Sequence, residues 1–124
     1  MLVDDSPDIL RMMKAMLKKV TGAVIDIFDS PRAALAAFIS APEKYALVIT
    51  DFEMPEMDGV ELCRRMRERV PSQKIFLATG SGFFTEAVAR HAGFSALLNK
   101  PFPLATLRKA VISEGVELAG RGGT

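Results

Sequence analysis

Short apolar runs alternate with segments of helical period along this chain, which predicts repeated strand–helix units built around a parallel sheet. Leu2 and Val3 end a first strand, and Ile9, Met12, Met13, Met16, Leu17 and Val20 then recur at the spacing of one helix face, read as core. Gly22 supplies a stop. Val24 to Phe28 alternates as a second strand, and Ser30-Pro31 caps and opens a helix whose inner face is Leu35, Phe38 and Ile39. Tyr45 to Thr50 is almost unbroken apolar sequence, the form taken by a strand covered on both faces, and it delivers Asp51 at its end.

The second half repeats the pattern. Asp58, with Glu61 three residues on, opens a helix that faces Leu62 and Met66 inward and ends at Val70-Pro71. Lys74 to Ala78 forms the fourth strand and runs into the loop Thr79-Gly80-Ser81-Gly82. A short helix near Thr85 to Ala92 is closed by Gly93. Ala96 to Asn99 forms the fifth strand. Pro103 sits in the first turn of the last helix, whose inner stripe is Leu104, Leu107, Val111 and Leu118. The expected organisation is one domain over residues 1–119 with a flexible tail over 120–124, and no internal repeat.

Composition narrows the function. The chain has 124 residues, 49% of them apolar, enough to fill one core. Sixteen Lys and Arg against 15 Asp and Glu leave +1, so no global field points to nucleic acid or an acidic membrane. No stretch approaches a membrane span. The single Cys63 cannot form an internal disulfide and fits a reducing, cytoplasmic setting.

Ligands of open parallel sheets bind beyond the carboxyl ends of the strands, so the residues that follow each strand are the natural site. Strand one gives Asp4 and Asp5, strand three Asp51, strand four Thr79 and strand five Lys100. Three carboxylates brought together raise one another's pKa unless a cation neutralises them, and all-oxygen ligands suit Mg²⁺. With so few carboxylates, several coordination positions are left to water or phosphate oxygens. An aspartate can attack phosphorus while a cation and an ammonium offset the charge, which makes Asp51 the candidate nucleophile and Lys100 the counter-charge. Taken singly, each has a plainer reading: Asp4-Asp5 as a turn or cap, Thr79 as structural, Lys100 as a strand end.

Val3-Asp4-Asp5-Ser6-Pro7, Asp51-Phe52-Glu53-Met54-Pro55 with Met57-Asp58-Gly59, Thr79-Gly80 and Lys100-Pro101-Phe102 closely resemble the marks of the response-regulator receiver domain, and the likeness covers essentially the whole chain. The resemblance implies a flavodoxin-like, doubly wound α/β fold with strand order 2-1-3-4-5 and helices on both faces. It implies a phosphorelay signalling domain, not an enzyme beyond self-phosphorylation and autodephosphorylation. Asp51 matches the phosphoacceptor, and Asp4, Asp5, Asp51 and the Glu53 backbone carbonyl match the Mg²⁺ site. Thr79 and Lys100 match the pair that contacts the phosphoryl group and switches, and Glu53 and Ser81 occupy positions that tune phosphoryl lifetime.

The implied donor is a sensor histidine kinase or a histidine phosphotransfer protein, docking near an exposed apolar patch of the first helix. A homodimer is possible in this family, and no direct nucleic-acid contact is implied. Leu97 stands where the family usually carries an aromatic residue, removing the aromatic rotamer switch, and the first strand has only three residues ahead of the acids. Phe83, Phe84, Arg90, His91, Arg108 and Lys109 form a candidate partner surface, against the plainer alternative of partial burial and solvated charge. Competing functions are a phosphorylation-independent interaction module and an aspartate-nucleophile phosphatase, whose DxDxT motif is not met after Asp51. A nucleotide site at Gly80-Ser81-Gly82 lacks the full glycine pattern.

Overall fold

The structure is a computed structural model and describes residues 1–116. The elements run β1 (Leu2–Val3), α1 (Pro7–Thr21), β2 (Ile27–Phe28), α2 (Pro31–Ser40), β3 (Leu47–Thr50), α3 (Gly59–Arg69), β4 (Lys74–Thr79), α4 (Glu86–His91), β5 (Ala96–Asn99) and α5 (Leu104–Ser113), with a short 3₁₀ turn at Pro42–Lys44. All five strands are parallel in the order β2-β1-β3-β4-β5, the flavodoxin-like arrangement that the resemblance implies.

The period of two in each strand sorts side chains into two cores. Val3, Val48, Ile75 and Leu77 point toward α2, α3 and α4, where they meet Phe38, Leu62, Met66 and Ala89. Leu2, Ile49, Phe76 and Leu98 point the other way, onto Leu10, Met13, Leu17, Leu107 and Val111 of α1 and α5. Both faces of the sheet are thus dry, which explains why β3 and β4 read as continuous apolar runs.

Helix ends follow side-chain chemistry. Ser6, Ser30, Asp58 and Thr85 each accept a hydrogen bond from the backbone N–H three residues on, satisfying a donor that the first turn leaves free. Gly22, at φ +69°, closes α1 in the left-handed conformation that glycine adopts without strain. Glu61 does not complete a reciprocal capping box, because its carboxylate is bound by Arg64 and Arg65.

Several sequence expectations are corrected. Met12 is 50% exposed and Ile39 47%, so neither belongs to the inner face assigned to it. A helical stripe has soft edges, and both lie just beyond the arc that meets the sheet. Val24, at 97% exposure, lies outside β2, which keeps only the residues paired with Leu2 and Val3. The third strand starts at Leu47, after the 3₁₀ turn, and the fourth runs one residue further, through Thr79. Pro103 caps α5 from outside its first turn. Phe84, placed with the surface group, is buried. Leu118 and the tail 120–124 lie outside the described residues.

Arg67 on α3 secures the end of the sheet opposite the strand termini that carry Asp51. Its guanidinium donates to the carbonyls of Gly93 (2.7 Å), Gln73 (2.8 Å) and Pro71 (2.9 Å), joining the loop before β4 to the loop before β5. Arg67→Met keeps the apolar stem but leaves those carbonyls without their donors, and is expected to lower unfolding free energy by roughly 2–4 kcal/mol. Urea titration measures it; a loss below about 1 kcal/mol would show that the loops hold without the guanidinium.

Candidate phosphoryl site

Chain order reverses between β1 and β3, and the crevice of an α/β sheet opens at such a point. Val3 pairs with Thr50 there, so Asp4 and Asp51 leave adjacent strands side by side. The ladder continues one step past both strands: Asp51 N–H donates to the Val3 carbonyl (2.9 Å) and Asp4 N–H to that of Phe28 (3.1 Å). These bonds fix both backbones, and an aspartate has only two further torsions.

Lys100 closes the group. It directly follows β5 and is joined to the next residue, Pro101, by a cis peptide bond, and its N–H donates to the Thr79 carbonyl at 2.9 Å. Its ammonium lies 2.6 Å from Asp4 Oδ2 and 3.4 Å from Asp51 Oδ1. Asp4 is 2% exposed and also accepts from Ser6 N–H at 2.9 Å, so a buried carboxylate is held by one full charge and one amide dipole. Asp5, Asp4 and Asp51 each bring a carboxylate oxygen within 4.8 Å of the other two.

Asp51 Oδ1 accepts from its neighbour's amide, Phe52 N–H, at 2.8 Å. Burial nevertheless pushes its carboxyl above the ordinary carboxylate range, and Asp4 adds to the rise, while Lys100 and the Phe52 amide oppose it. Three acids thus face one ammonium, an excess of negative charge among hard oxygen donors. That donor set fits a small divalent cation better than another organic base.

An open cleft over this group is lined by Ile9, Asp51, Glu53, Thr79, Gly80, Ser81 and Lys100. Thr79 is buried, and its hydroxyl accepts from Ser81 N–H at 3.1 Å, leaving its proton for another acceptor. All the residues taken from strand ends therefore assemble, with Glu53 and Ser81 at the rim. Leu97 sits in the second half of the sheet, half-buried on the core side of α3 and α4. His91 and the exposed Arg108 and Lys109 stand away from the cleft.

The sequence reading missed two contributors. Ile9, read only as helix core, forms an apolar wall of the cleft. Gly59 is required by proximity: a Cβ there would stand 2.2 Å from the Asp51 carbonyl oxygen. Its N–H also donates to the Phe52 carbonyl at 2.8 Å, so α3 begins directly against the backbone of Asp51. The Asp58-Gly59 pair carried this signal, since a helix starting so soon after a strand must return close to it.

The model for the response regulator receiver domain matches residues 1–112. CpdR of Brucella abortus (strain 2308), described as a response regulator receiver protein, is 36% identical over 112 residues, covering 86% of this chain and 88% of CpdR. The response regulator PilR of Pseudomonas aeruginosa is 29% identical, and the match covers 90% of this chain but only 24% of PilR. The structure of the response regulator TrrA from Thermotoga maritima, in complex with Mg²⁺ and BeF, superposes with a TM-score of 0.80 at 30% identity, over 91% of this chain and 95% of TrrA. This chain belongs to the response-regulator receiver family of two-component signalling.

Two outcomes test the site. Gly59→Ala must push the Asp51 backbone aside and is expected to cost about 2–3 kcal/mol of stability, read by urea unfolding. For Asp51 the sign follows from its raised pKa: the stability tied to its proton is present below the ordinary carboxylate pKa and lost as pH rises through the folded value. In magnesium-free buffer Asp51→Asn is therefore expected to be more stable than the parent at about pH 7, with the difference shrinking toward about pH 4. An equal difference at both ends would show that Asp51 is not held ionised against its surroundings.

Proposed function

We propose that Asp51 accepts a phosphoryl group from the phosphohistidine of a sensor kinase or phosphotransfer protein. The observation that carries this reading is the meeting of Asp51 with Asp4, Asp5 and Lys100 at the carboxyl ends of the central strands. An Asp51 carboxylate oxygen attacks phosphorus; the P–N bond to the donor imidazole breaks, its electron pair stays on nitrogen, and an acyl phosphate remains. Mg²⁺, which receiver domains bind at their acidic cluster, supplies charge neutralisation when held by Asp4, Asp5, Asp51 and the Glu53 backbone carbonyl.

Lys100 has the second task. Its ammonium already lies between Asp4 and Asp51, so it meets the incoming negative charge without crossing the cleft. Thr79 holds a free hydroxyl proton that a phosphoryl oxygen can accept, and its neighbours Gly80 and Gly82 let the following loop adjust. The phosphoryl group brings about −1.5 to −2 charges and strong acceptors, which bias whichever loop arrangement satisfies them. Glu53 and Ser81, at the rim, govern access of water and hence lifetime. The output is a changed protein contact, with the donor docking beside α1, where Met12 is exposed. Among the described residues no helix is long and apolar enough to cross a membrane.

Incubation with acetyl phosphate and Mg²⁺ is expected to add one phosphoryl mass to the intact protein, with no gain in Asp51→Asn or without the metal. A folded parent that gains nothing under these conditions would instead favour an interaction module that works without phosphorylation.

A further inference from the structure

Residues 52–58 carry the chain from β3 to α3, and the Gly59 N–H closes the ends of this loop on each other by donating to the Phe52 carbonyl at 2.8 Å. Its apex is sharply bent. Met57 N–H donates to the Pro55 carbonyl at 2.8 Å across a single residue, Glu56, whose φ is +75°. That is the rare form of the three-residue turn, in a backbone region that crowds the Cβ of every residue but glycine. Among the described residues, Glu56 is the only non-glycine with a positive φ.

Such an outlier persists where its surroundings hold it, and here the hold is specific. Ser30, the cap of α2, accepts from Ala33 N–H at 3.2 Å and donates its own proton to Glu56 Oε1 at 3.3 Å. Arg32 Nε, in the first turn of the same helix, stands 3.6 Å from Glu56 Oε2. The carboxylate therefore lies at the positive end of α2, between a hydroxyl and a guanidinium. Among the described residues, no other hydrogen bond or ion pair joins residues 53–56 to another element. Glycine would make the same turn without crowding, so what the glutamate adds is the grip of its carboxylate on α2.

The grip bears on the phosphoryl cleft through Glu53, which stands at its rim. In the proposed Mg²⁺ set the aspartates follow strand ends and are placed by the sheet, whereas the Glu53 carbonyl is placed by the loop. Met57 sinks one side of that loop into the core, yet three residues separate it from Glu53, with the turn between them. We infer that Glu56 is a positioning residue: by fastening the turn to Ser30 and Arg32, it holds the Glu53 carbonyl available to Mg²⁺. This rests on the Mg²⁺ site proposed above. So small an ion tolerates little displacement of its oxygen donors, so a loop released from α2 gives up affinity while the aspartates stay in place.

Mg²⁺ binding is measured by isothermal titration calorimetry on the parent, Asp51→Asn, Glu56→Ala, Glu56→Gly and Glu56→Gln. The Glu56 side chain is 46% exposed, so these replacements leave the core intact. Alanine keeps the backbone crowding and glycine removes it, but both lose the carboxylate. Both are expected to bind Mg²⁺ about three- to fivefold more weakly, the scale of one exposed ion pair with its hydrogen bond. Glutamine keeps an oxygen for the Ser30 proton and is expected to stay within about twofold of the parent. Parent affinity in both the alanine and glycine variants, a loss confined to one of them, or a glutamine variant as weak as alanine would overturn the inference. A parent that binds no Mg²⁺, or an Asp51→Asn variant that binds it as well as the parent, would overturn the metal site itself, and the role of Glu56 with it.

Discussion

The arrangement turns on a buried negative charge that must be held. Asp4 lies under the surface, and the Lys100 ammonium at 2.6 Å is its main compensation. A carboxylate in that position is tolerable only while its partner stays in place. The geometry that keeps Lys100 there reaches back through the sheet: β5 must pair with β4, β4 with β3, and β3 with β1, for residues 96 positions apart to meet. Parallel pairing makes this possible, since it places all carboxyl ends on one side. The site is therefore a property of the whole sheet, and loss of any one strand pairing would separate the charges.

Much of this was legible in the sequence, for reasons that differ from residue to residue. The strand ends could be read because β3 and β4 are covered on both faces and show unbroken apolar runs, so Asp51 and Thr79 were located to within a residue. The caps at Ser30 and Asp58 could be read because each answers a local need of the first turn, whereas Ser6 and Thr85, which cap α1 and α4 in the same way, were read only as a motif residue and a helix boundary. Those features depend on near neighbours in sequence, and the site residues follow from them once the sheet is parallel.

What was not legible depends on distant neighbours. Whether Val24 extends β2 depends on how far β1 reaches beside it, which the alternation around Val24 does not encode. Met12 and Ile39 carry the correct period but stand at the margin of their stripes, where the curvature of the sheet decides exposure. In Phe83-Phe84 one ring is core and the other surface, and nothing in the pair distinguishes them; Phe84 is the one that packs on Phe52, which follows the neighbouring strand β3. Gly59 was readable only as part of the Met57-Asp58-Gly59 motif, while its tight fit against the Asp51 carbonyl is a fact of three dimensions.

Arg67 gives the domain a mechanical polarity. By gripping the Gly93 carbonyl it fastens the trailing end of α4 to the quiet side of the sheet, together with the approaches to β4 and β5. At the leading end Phe84, buried just ahead of the cap Thr85, holds the helix a second time. A helix pinned at both ends does not tilt freely, so the slack lies in the short stretch between Thr79 and Phe84, where open space surrounds Gly80 and Gly82. A partner seated on that stretch would sense the cleft, and one on the trailing turn of α4 hardly at all.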